Sequence, residues 1–104
     1  MIKRVTCYFL PEGTDPDEFW KYHREVHAPD VTKALGPKLK KYVIHRIDRV
    51  VVGETNLYGF TETWWDTEKD AEEAYDAMRT EFNDFHSRVT GFCQVLVDER
   101  QIVP

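Results

Sequence analysis

The order of strand-like and helix-like segments restricts the fold of this chain more than any other feature of its sequence. Runs rich in β-branched and aromatic residues, which are typical of strands, occur at 2–10, 40–52, 57–65 and 92–97. One helix-like segment follows the first run, and a second one separates the third run from the fourth. This order predicts a ferredoxin-like βαββαβ fold of the α+β class, in which two helices cover one face of a four-stranded antiparallel sheet.

The composition fits a single domain spanning residues 1–104, since 41% of the residues are apolar, enough for a core in a chain of this length. A formal net charge of −5, with no basic stripe, argues against a nucleic-acid partner. No signal peptide is visible and no apolar run approaches the length of a membrane span, so we expect no membrane partner. Cys7 and Cys93 lie far apart in strand-like runs, which predicts two buried, reduced thiols and a cytoplasmic protein.

The first helix-like segment, Asp15–Leu35, carries most of the candidate chemistry. It starts with a favourable N-cap followed by a proline at the first helical position. The spacing of its apolar residues predicts an inward face that includes His23 and His27. Pro29 lacks a backbone donor and disfavours helical geometry at Ala28, so we expect a kink there before the helix continues.

Two histidines one helical turn apart suggest acid–base chemistry, because imidazole can give and take a proton near neutral pH. The alternative is a structural histidine whose ring is bonded to a backbone carbonyl. The sequence by itself leaves both interpretations open for His23 and His27. A pocket beside His27 would follow from the interruption of the helix just after it.

The second helix-like segment begins at Asp66-Thr67 and carries a one-sided apolar stripe. The stripe consists of Ala71, Ala74, Tyr75, Met78, Phe82 and Phe85. A stripe of this kind is typical of a core face, so we assign no functional role to it.

The third strand carries apolar side chains on both of its faces. Tyr58, Phe60 and Trp64 alternate on one side, and Leu57 and Trp65 lie on the other. The sheet face that points away from the helices is therefore apolar in either orientation, and such a face needs a partner. Two sheets facing each other would form a dimeric α+β barrel, burying roughly 800 Å² per chain. We therefore expect a homodimer.

Three motifs follow the predicted element order. They are Phe19-x-x-Tyr22 followed by His27-Ala28-Pro29, Tyr42 at the start of the second strand, and the run YGFTETWWD from Tyr58 to Asp66. Together they resemble the EthD-like family of dimeric α+β barrel proteins, whose pattern Gly-x-x-Glu-x-Trp-aromatic-Asp the last run matches. The resemblance covers most of the chain. It implies a ferredoxin-like homodimer with a small-molecule pocket between helices and sheet.

The motif histidine of that family is matched by His27, our candidate for the general acid or base. Glu62, in the third strand, is the second catalytic candidate, because a histidine and a carboxylate that converge could remove a proton beside a carbonyl group. The expected substrate-binding residues are Tyr8, Trp20, His23, Tyr42 and Trp64. No metal ligand is expected, since the sequence has no metal-binding spacing.

The EthD-like family that the chain resembles also has wider relatives, among them muconolactone isomerase-like enzymes, aromatic polyketide cyclases and dehydratases, and haem-handling oxygenases. The sequence has no glycine-rich phosphate loop and no nucleophile elbow, which favours a reaction without a cofactor. We predict a lyase, isomerase or cyclase acting on a small apolar or aromatic carbonyl compound. One alternative is a haem-linked oxygenase with His23 or His27 as the axial ligand. Another is a non-catalytic binding or accessory protein of a catabolic pathway.

Overall fold

The strands and helical regions follow one another along the chain in the predicted order. The computed structural model describes residues 1–81 and 83–104, and the side chains of that part of the chain outside 79–83. The strands are β1 (Ile2–Phe9), β2 (Lys41–Arg46), β3 (Leu57–Trp65) and β4 (Thr90–Val97). The helical regions comprise α1 (Pro16–Tyr22), a π-helical turn (His23–His27), α2 (Ala28–Leu35) and a 3₁₀ turn (Gly36–Lys38), and later α3 (Glu68–Glu81) and α4 (Asn83–Ser87). None of the helices described is long and apolar enough to cross a membrane.

The strands form one antiparallel sheet in the order β2-β3-β1-β4. β1 lies inside the sheet, hydrogen-bonded to β3 on one side and β4 on the other. Its alternate residues are buried beneath the helices, so the helical regions cover one face and leave the other open. The predicted ferredoxin-like α+β fold is confirmed.

Alternation along β1 decides which side chains face the helices. Arg4, Thr6 and Tyr8 are buried on that side, while Val5 and Cys7 point to the open face. The register extends the pattern, so the helix-facing side chains of the other strands include Tyr42, Ile44, Thr61, Thr63, Trp65, Phe92 and Gln94. The sheet face beneath the helices is therefore rich in polar groups, which is unusual for a core.

A β-bulge turns Tyr58 toward the helices. The register of β1 against β3 shifts near the start of β3, so simple alternation does not hold there. The Tyr58 ring is buried and meets the Phe19 ring edge-on, with 5.0 Å between the ring centroids. The prediction that Tyr58 shares a face with Phe60 and Trp64 was wrong, because the bulge inserts one residue.

Gly59, beside this bulge, leaves no room for a side chain. A Cβ atom built on it would lie 2.2 Å from the backbone oxygen of His45 in the neighbouring strand. Since a strand backbone cannot rotate away as a side chain can, we expect Gly59→Ala to lower the free energy of unfolding by about 3 kcal/mol. Urea denaturation would measure the loss. Gly53→Ala is the control, because Gly53 has nothing within 4 Å and a φ of +83°, so only backbone strain should appear. An equal loss in both variants would contradict the expectation.

The second strand is shorter than predicted. The sequence predicts a strand or bent pair over 40–52, but β2 ends at Arg46. The Ile47 N–H still bonds to the Tyr58 carbonyl, one residue from the start of β3 at Leu57. Val51 and Val52 consequently lie in an exposed loop.

The first helical region absorbs its proline with a π-helical turn. Ala28 keeps helical geometry, with φ −62° and ψ −44°, so the expectation that Pro29 disfavours helical geometry at this residue was wrong. The Ala28 N–H instead bonds to the His23 carbonyl five residues back. A wider turn makes room for the Pro29 ring, which in an ordinary α-helix clashes with the carbonyl four residues earlier. The helix then continues to Leu35, as expected.

The apolar stripe of the second helical region packs inward, as predicted. Ala71, Ala74 and Phe85 are buried, and Tyr75 and Met78 are half-buried. Phe82, the remaining member of the stripe, lies outside the described residues. The buried positions divide between two clusters, one around Phe85 and one around Trp65.

The two cysteines are less buried than predicted. Cys7 and Cys93 are paired residues of β1 and β4, and both thiols are free. Cys7 is half-buried and Cys93 is exposed, because both lie on the sheet face that the helices leave open. In this single chain, the prediction of two buried thiols was wrong.

Candidate functional site

A small cavity lies between the helices and the polar face of the sheet. Its floor comes from all four strands, and its roof from the π-helical turn, α2, α3 and α4. The lining residues include Arg4, Thr6, Tyr8, Tyr42, Thr61, Thr63, Trp65 and Gln94 below, and His27, Val31, Met78, Phe85 and His86 above. The cavity volume is about 30 Å³, enough for about one or two water molecules. The site is therefore nearly closed in this conformation.

The floor of the cavity is a set of hydrogen-bonding side chains held by their neighbours. Gln94 donates from Nε2 to Thr6 Oγ1 at 3.2 Å, and Trp65 donates from Nε1 to Thr63 Oγ1 at 2.9 Å. The buried Thr61 hydroxyl has no hydrogen-bond partner among the described residues. Buried hydroxyls are normally paired, so Thr61 is a group that a bound ligand could satisfy.

His27 is the more buried of the two histidines in the roof, the other being His86. Its ring is 5% exposed and stacks on the Phe85 ring, with 3.8 Å between centroids and 11° between planes. The pKa of His27 is lowered to about 3, chiefly because burial removes hydration from the charged form, and in smaller part because His23 lies nearby. The imidazole is therefore neutral at pH 7 and can accept a proton.

The π-helical turn explains where His27 points. The turn adds one residue relative to an α-helix, which changes the direction of every side chain that follows. His23 at its start is completely buried, and His27 at its end reaches the cavity. π-turns occur frequently at functional sites, so this irregularity is a second sign of a site here.

His23 lies behind His27 and does not line the cavity. It is surrounded by aromatic rings, and neither of its ring nitrogens has a hydrogen-bond partner among the described residues. The Trp20 and His23 rings meet edge-on, with 6.0 Å between centroids. Burial lowers the pKa of His23 to about 4. The expected binding residues His23 and Trp20 are thus packed next to the site, and not in its wall.

An open groove of about 500 Å³ lies on the outer side of the same histidine. His27 and Phe85 line both this groove and the inner cavity. At the groove, the Tyr22 hydroxyl donates to Asp84 Oδ2 at 2.6 Å, and Arg88 Nε donates to the same oxygen at 3.2 Å. The stacked pair of His27 and Phe85 therefore separates the cavity from the surface.

Comparison with known proteins gives the family of the chain. The model of the EthD domain matches residues 11–87, which is most of the chain. The chain belongs to the EthD family. A search of curated proteins finds none that matches this EthD protein.

Solved structures similar to this EthD protein show the same fold. An EthD family protein from Bacillus halodurans has a TM-score of 0.73 at 19% identity, covering 96% of this chain and 100% of its own. SnoaB from Streptomyces nogalater, a cofactor-independent oxygenase, has a TM-score of 0.67 at 13% identity, covering 99% and 96%. A dimeric ferredoxin-like protein of unknown function from Thermobifida fusca has a TM-score of 0.66 at 17% identity, covering 92% and 88%.

Glu62 of this EthD protein does not meet His27. Glu62 lies on the open face of the sheet, where it forms an ion pair with Lys3 and a hydrogen bond with His45, whose Nε2 is 2.7 Å from Glu62 Oε1. Hydrogen bonding from Lys3, and then from His45, lowers the pKa of the Glu62 carboxyl. The expected convergence of Glu62 and His27 is not found, because the parity of β3 puts them on opposite sides of the sheet. Trp64 shares the open face, with Lys41 Nζ 4.7 Å from its ring centroid.

Of the expected binding residues, the structure brings Tyr8 and Tyr42 to the cavity together with His27. The sequence-based analysis missed the other polar residues of the floor, namely Arg4, Thr6, Thr61, Thr63 and Gln94. A signal for them was present, because polar residues alternate at Arg4 and Thr6 and again at Thr61 and Thr63. Such alternation usually indicates a strand face that is exposed to solvent. In this protein the polar face is instead covered by the helices.

Proposed function

We propose that this EthD protein is a cofactor-independent enzyme that moves a proton on a small, largely apolar or aromatic carbonyl compound, with His27 as the acid–base group. The observation that carries the proposal is one cavity in which a buried neutral imidazole faces a polar sheet floor. In a purely structural core, each buried polar group has to be compensated by a hydrogen bond. A floor of hydroxyl, amide and phenol groups is therefore better explained by a polar ligand.

The chemical step uses the neutral form of His27. Its unprotonated ring nitrogen takes a proton from the carbon next to the substrate carbonyl, and the electron pair of the broken C–H bond forms an enolate. The imidazolium then returns the proton to another carbon, which gives an isomer, or to a departing hydroxyl group, which gives water and an unsaturated product. Both outcomes balance without an oxidant or a reductant.

The enolate oxygen requires hydrogen-bond donors, and the floor supplies them. Burial raises the pKa of Tyr42 and of Tyr8, so both phenols stay protonated and can donate. The Thr61 hydroxyl, which has no partner in the described structure, is a further donor. An enolate in the cavity also raises the pKa of His27 during the reaction, because a negative charge favours the imidazolium.

The size of the cavity favours a small substrate. A volume of about 30 Å³ is well below the roughly 300 Å³ of an ordinary ligand site, so the cavity must widen when a substrate binds. Displacement of Phe85 from the His27 ring would connect the cavity with the groove of about 500 Å³ outside it. A single-ring compound requires much less widening than a porphyrin does, which favours the cofactor-free function over the haem-linked one.

One structural neighbour supports a reaction without a cofactor. SnoaB is a cofactor-independent oxygenase on the same fold, so the fold can support chemistry without a cofactor. Glu62 has no part in the proposed step, since it lies on the other face of the sheet.

The free thiols of Cys7 and Cys93 support a reducing, cytoplasmic location.

Proton exchange in deuterated water tests the proposal without knowledge of the full reaction. A panel of aryl ketones and aromatic 2-oxo compounds is incubated with the protein, and NMR follows the loss of the signal of the hydrogen next to the carbonyl. We expect at least one compound to exchange faster with protein than with buffer, and His27→Gln to abolish the difference. Saturable binding of these compounds without any exchange would instead identify a non-catalytic binding protein.

We also propose that the protein is a homodimer through the open face of its sheet. Val5 and Val95 are paired residues on that face, and Val95 is 48% exposed in the single chain. The Thermobifida fusca neighbour is described as dimeric, which supports this association. We expect light scattering to give twice the 12.3 kDa mass of the chain. Val95→Glu should give a monomer, while Val52→Glu, in an exposed loop, should leave the dimer intact. A wild-type monomer at micromolar concentration would contradict the proposal.

A further inference from the structure

A buried arginine in the cavity wall has no role in the step described above. Arg4 is 7% exposed, and it lines the cavity together with His27 and Tyr42. Burial of a guanidinium without a counter-ion costs stability, and it lowers the pKa of Arg4. No carboxylate among the described residues forms an ion pair with Arg4. Among the described residues, the charge of Arg4 is therefore only partly compensated, by the field of Glu72, which forms no ion pair with it.

The contacts that Arg4 does make fix its position. Its Nη2 donates to the backbone carbonyl of Ala71 in α3. The guanidinium carbon lies 6.0 Å from the centroid of the Trp65 ring and 5.8 Å from that of Tyr75. Only one of its several N–H donors is used by these contacts. A rigidly held guanidinium with unused donors is prepared to bind an acceptor.

We infer that Arg4 binds an anionic group of the substrate, which makes the substrate class an aromatic carboxylate that also carries a carbonyl group. The inference rests on the proposed function for the carbonyl, but the anionic group follows from Arg4 itself. The planar guanidinium matches a carboxylate with two parallel hydrogen bonds. The aromatic rings of Tyr8, Tyr42 and Phe92 around the cavity suit the flat remainder of the molecule.

The surroundings of Arg4 place this anion in the cavity and not on the surface. Arg4 also borders an outer groove between α3 and β4, where Glu68, Glu72 and Asp76 line the helix side and are exposed. These carboxylates repel an anion from the groove. The cavity side offers hydroxyl groups, an amide and the neutral imidazole of His27, and none of these carries a negative charge.

Benzoate and benzamide form a matched pair of probes, because they have nearly the same shape and differ in charge. Isothermal titration at pH 7 with the full-length protein should give a Kd at least about 10-fold lower for benzoate, as a charge-assisted bidentate pair is worth roughly 1.4 kcal/mol or more. Arg4→Gln should reduce this ratio to about 1. Arg46→Gln is the control, since Arg46 pairs with Asp17 away from the cavity and its loss should leave the ratio unchanged.

Arg4 also holds α3 to the sheet, so a loss of the fold in Arg4→Gln would obscure its effect on binding. A second variant therefore accompanies it. Arg4→Lys keeps the charge and should retain part of the preference, with an intermediate ratio. In the wild-type protein, the ¹⁵N–¹H signal of the Arg4 guanidinium should shift with benzoate and not with benzamide. Equal affinity for both probes, a preference that survives in folded Arg4→Gln, or no binding of benzoate would each overturn the inference.

Benzoate binding and proton exchange together distinguish a failure of this inference from a failure of the proposed function. Benzoate preference through Arg4 without proton exchange on any compound would leave the anion site standing and remove the enzymatic proposal. Proton exchange by His27 on neutral ketones, without any preference for anions, would leave the enzyme and remove the role of Arg4.

Discussion

Replacement of His27 by glutamine is expected to lower proton-exchange turnover at least about 100-fold, since general acid–base catalysis typically contributes 10²–10⁴. Glutamine keeps a hydrogen-bonding side chain of similar length above the cavity but cannot take up a proton. The variant should therefore bind the substrate with little change in affinity. Stopped exchange with retained binding is the pattern expected of a proton-transfer group.

His45→Gln is the matched control for this experiment. It also removes a histidine, but His45 lies on the other face of the sheet, where it stacks on Phe60 and pairs with Glu62. Exchange should continue at the wild-type rate in this variant. Unchanged exchange in His27→Gln, with the fold verified by circular dichroism, would remove His27 from the reaction and leave His86 as the histidine to test in the cavity wall.

Acidification from pH 8 to pH 5 is expected to lower the free energy of unfolding by roughly 4 kcal/mol through two histidines, about 2 kcal/mol from each. Burial lowers the pKa of His23 to about 4 and that of His27 to about 3, whereas the ordinary value is 6.5. Below pH 6.5 the unfolded chain binds protons at both residues, and the folded chain does not. The contribution of the two neutral histidines to the free energy of unfolding is thus fully present above pH 6.5, and it is lost as the pH falls toward 4 for His23 and toward 3 for His27.

His23→Phe isolates this effect from the protonation of carboxylates. Phenylalanine suits the surrounding aromatic rings and removes two ring nitrogens that have no partner among the described residues. Urea denaturation at several pH values should show a loss that is smaller by about half in this variant. Val31→Ala is the control, because Val31 is buried in α2, which continues the same helical region, and does not titrate. It should be less stable by the same amount at every pH. An identical pH dependence in His23→Phe and wild type would contradict the expectation.

The order of the elements and the inward face of the first helix could be predicted because both depend on local patterns. Runs of β-branched residues, an N-cap and helical spacing reflect neighbouring parts of the chain. His27 was found in this way, and its place in the cavity wall agrees with the spacing. The expected loss of helical geometry at Ala28 was wrong, because the π-helical turn before Pro29 accommodates the proline ring.

The parity of the strands was decided only by the tertiary structure. A strand places its side chains alternately on two faces, and the pattern alone does not say which face meets the helices. Here the helices cover Arg4 and Thr61, and they leave Glu62 and Trp64 on the open face. A polar face buried under helices cannot be distinguished in sequence from one exposed to solvent. The sequence by itself determined the fold and the candidate histidine. The packing of the helices on one side of the sheet decided that this histidine shares its cavity with Arg4, Tyr42 and the threonines.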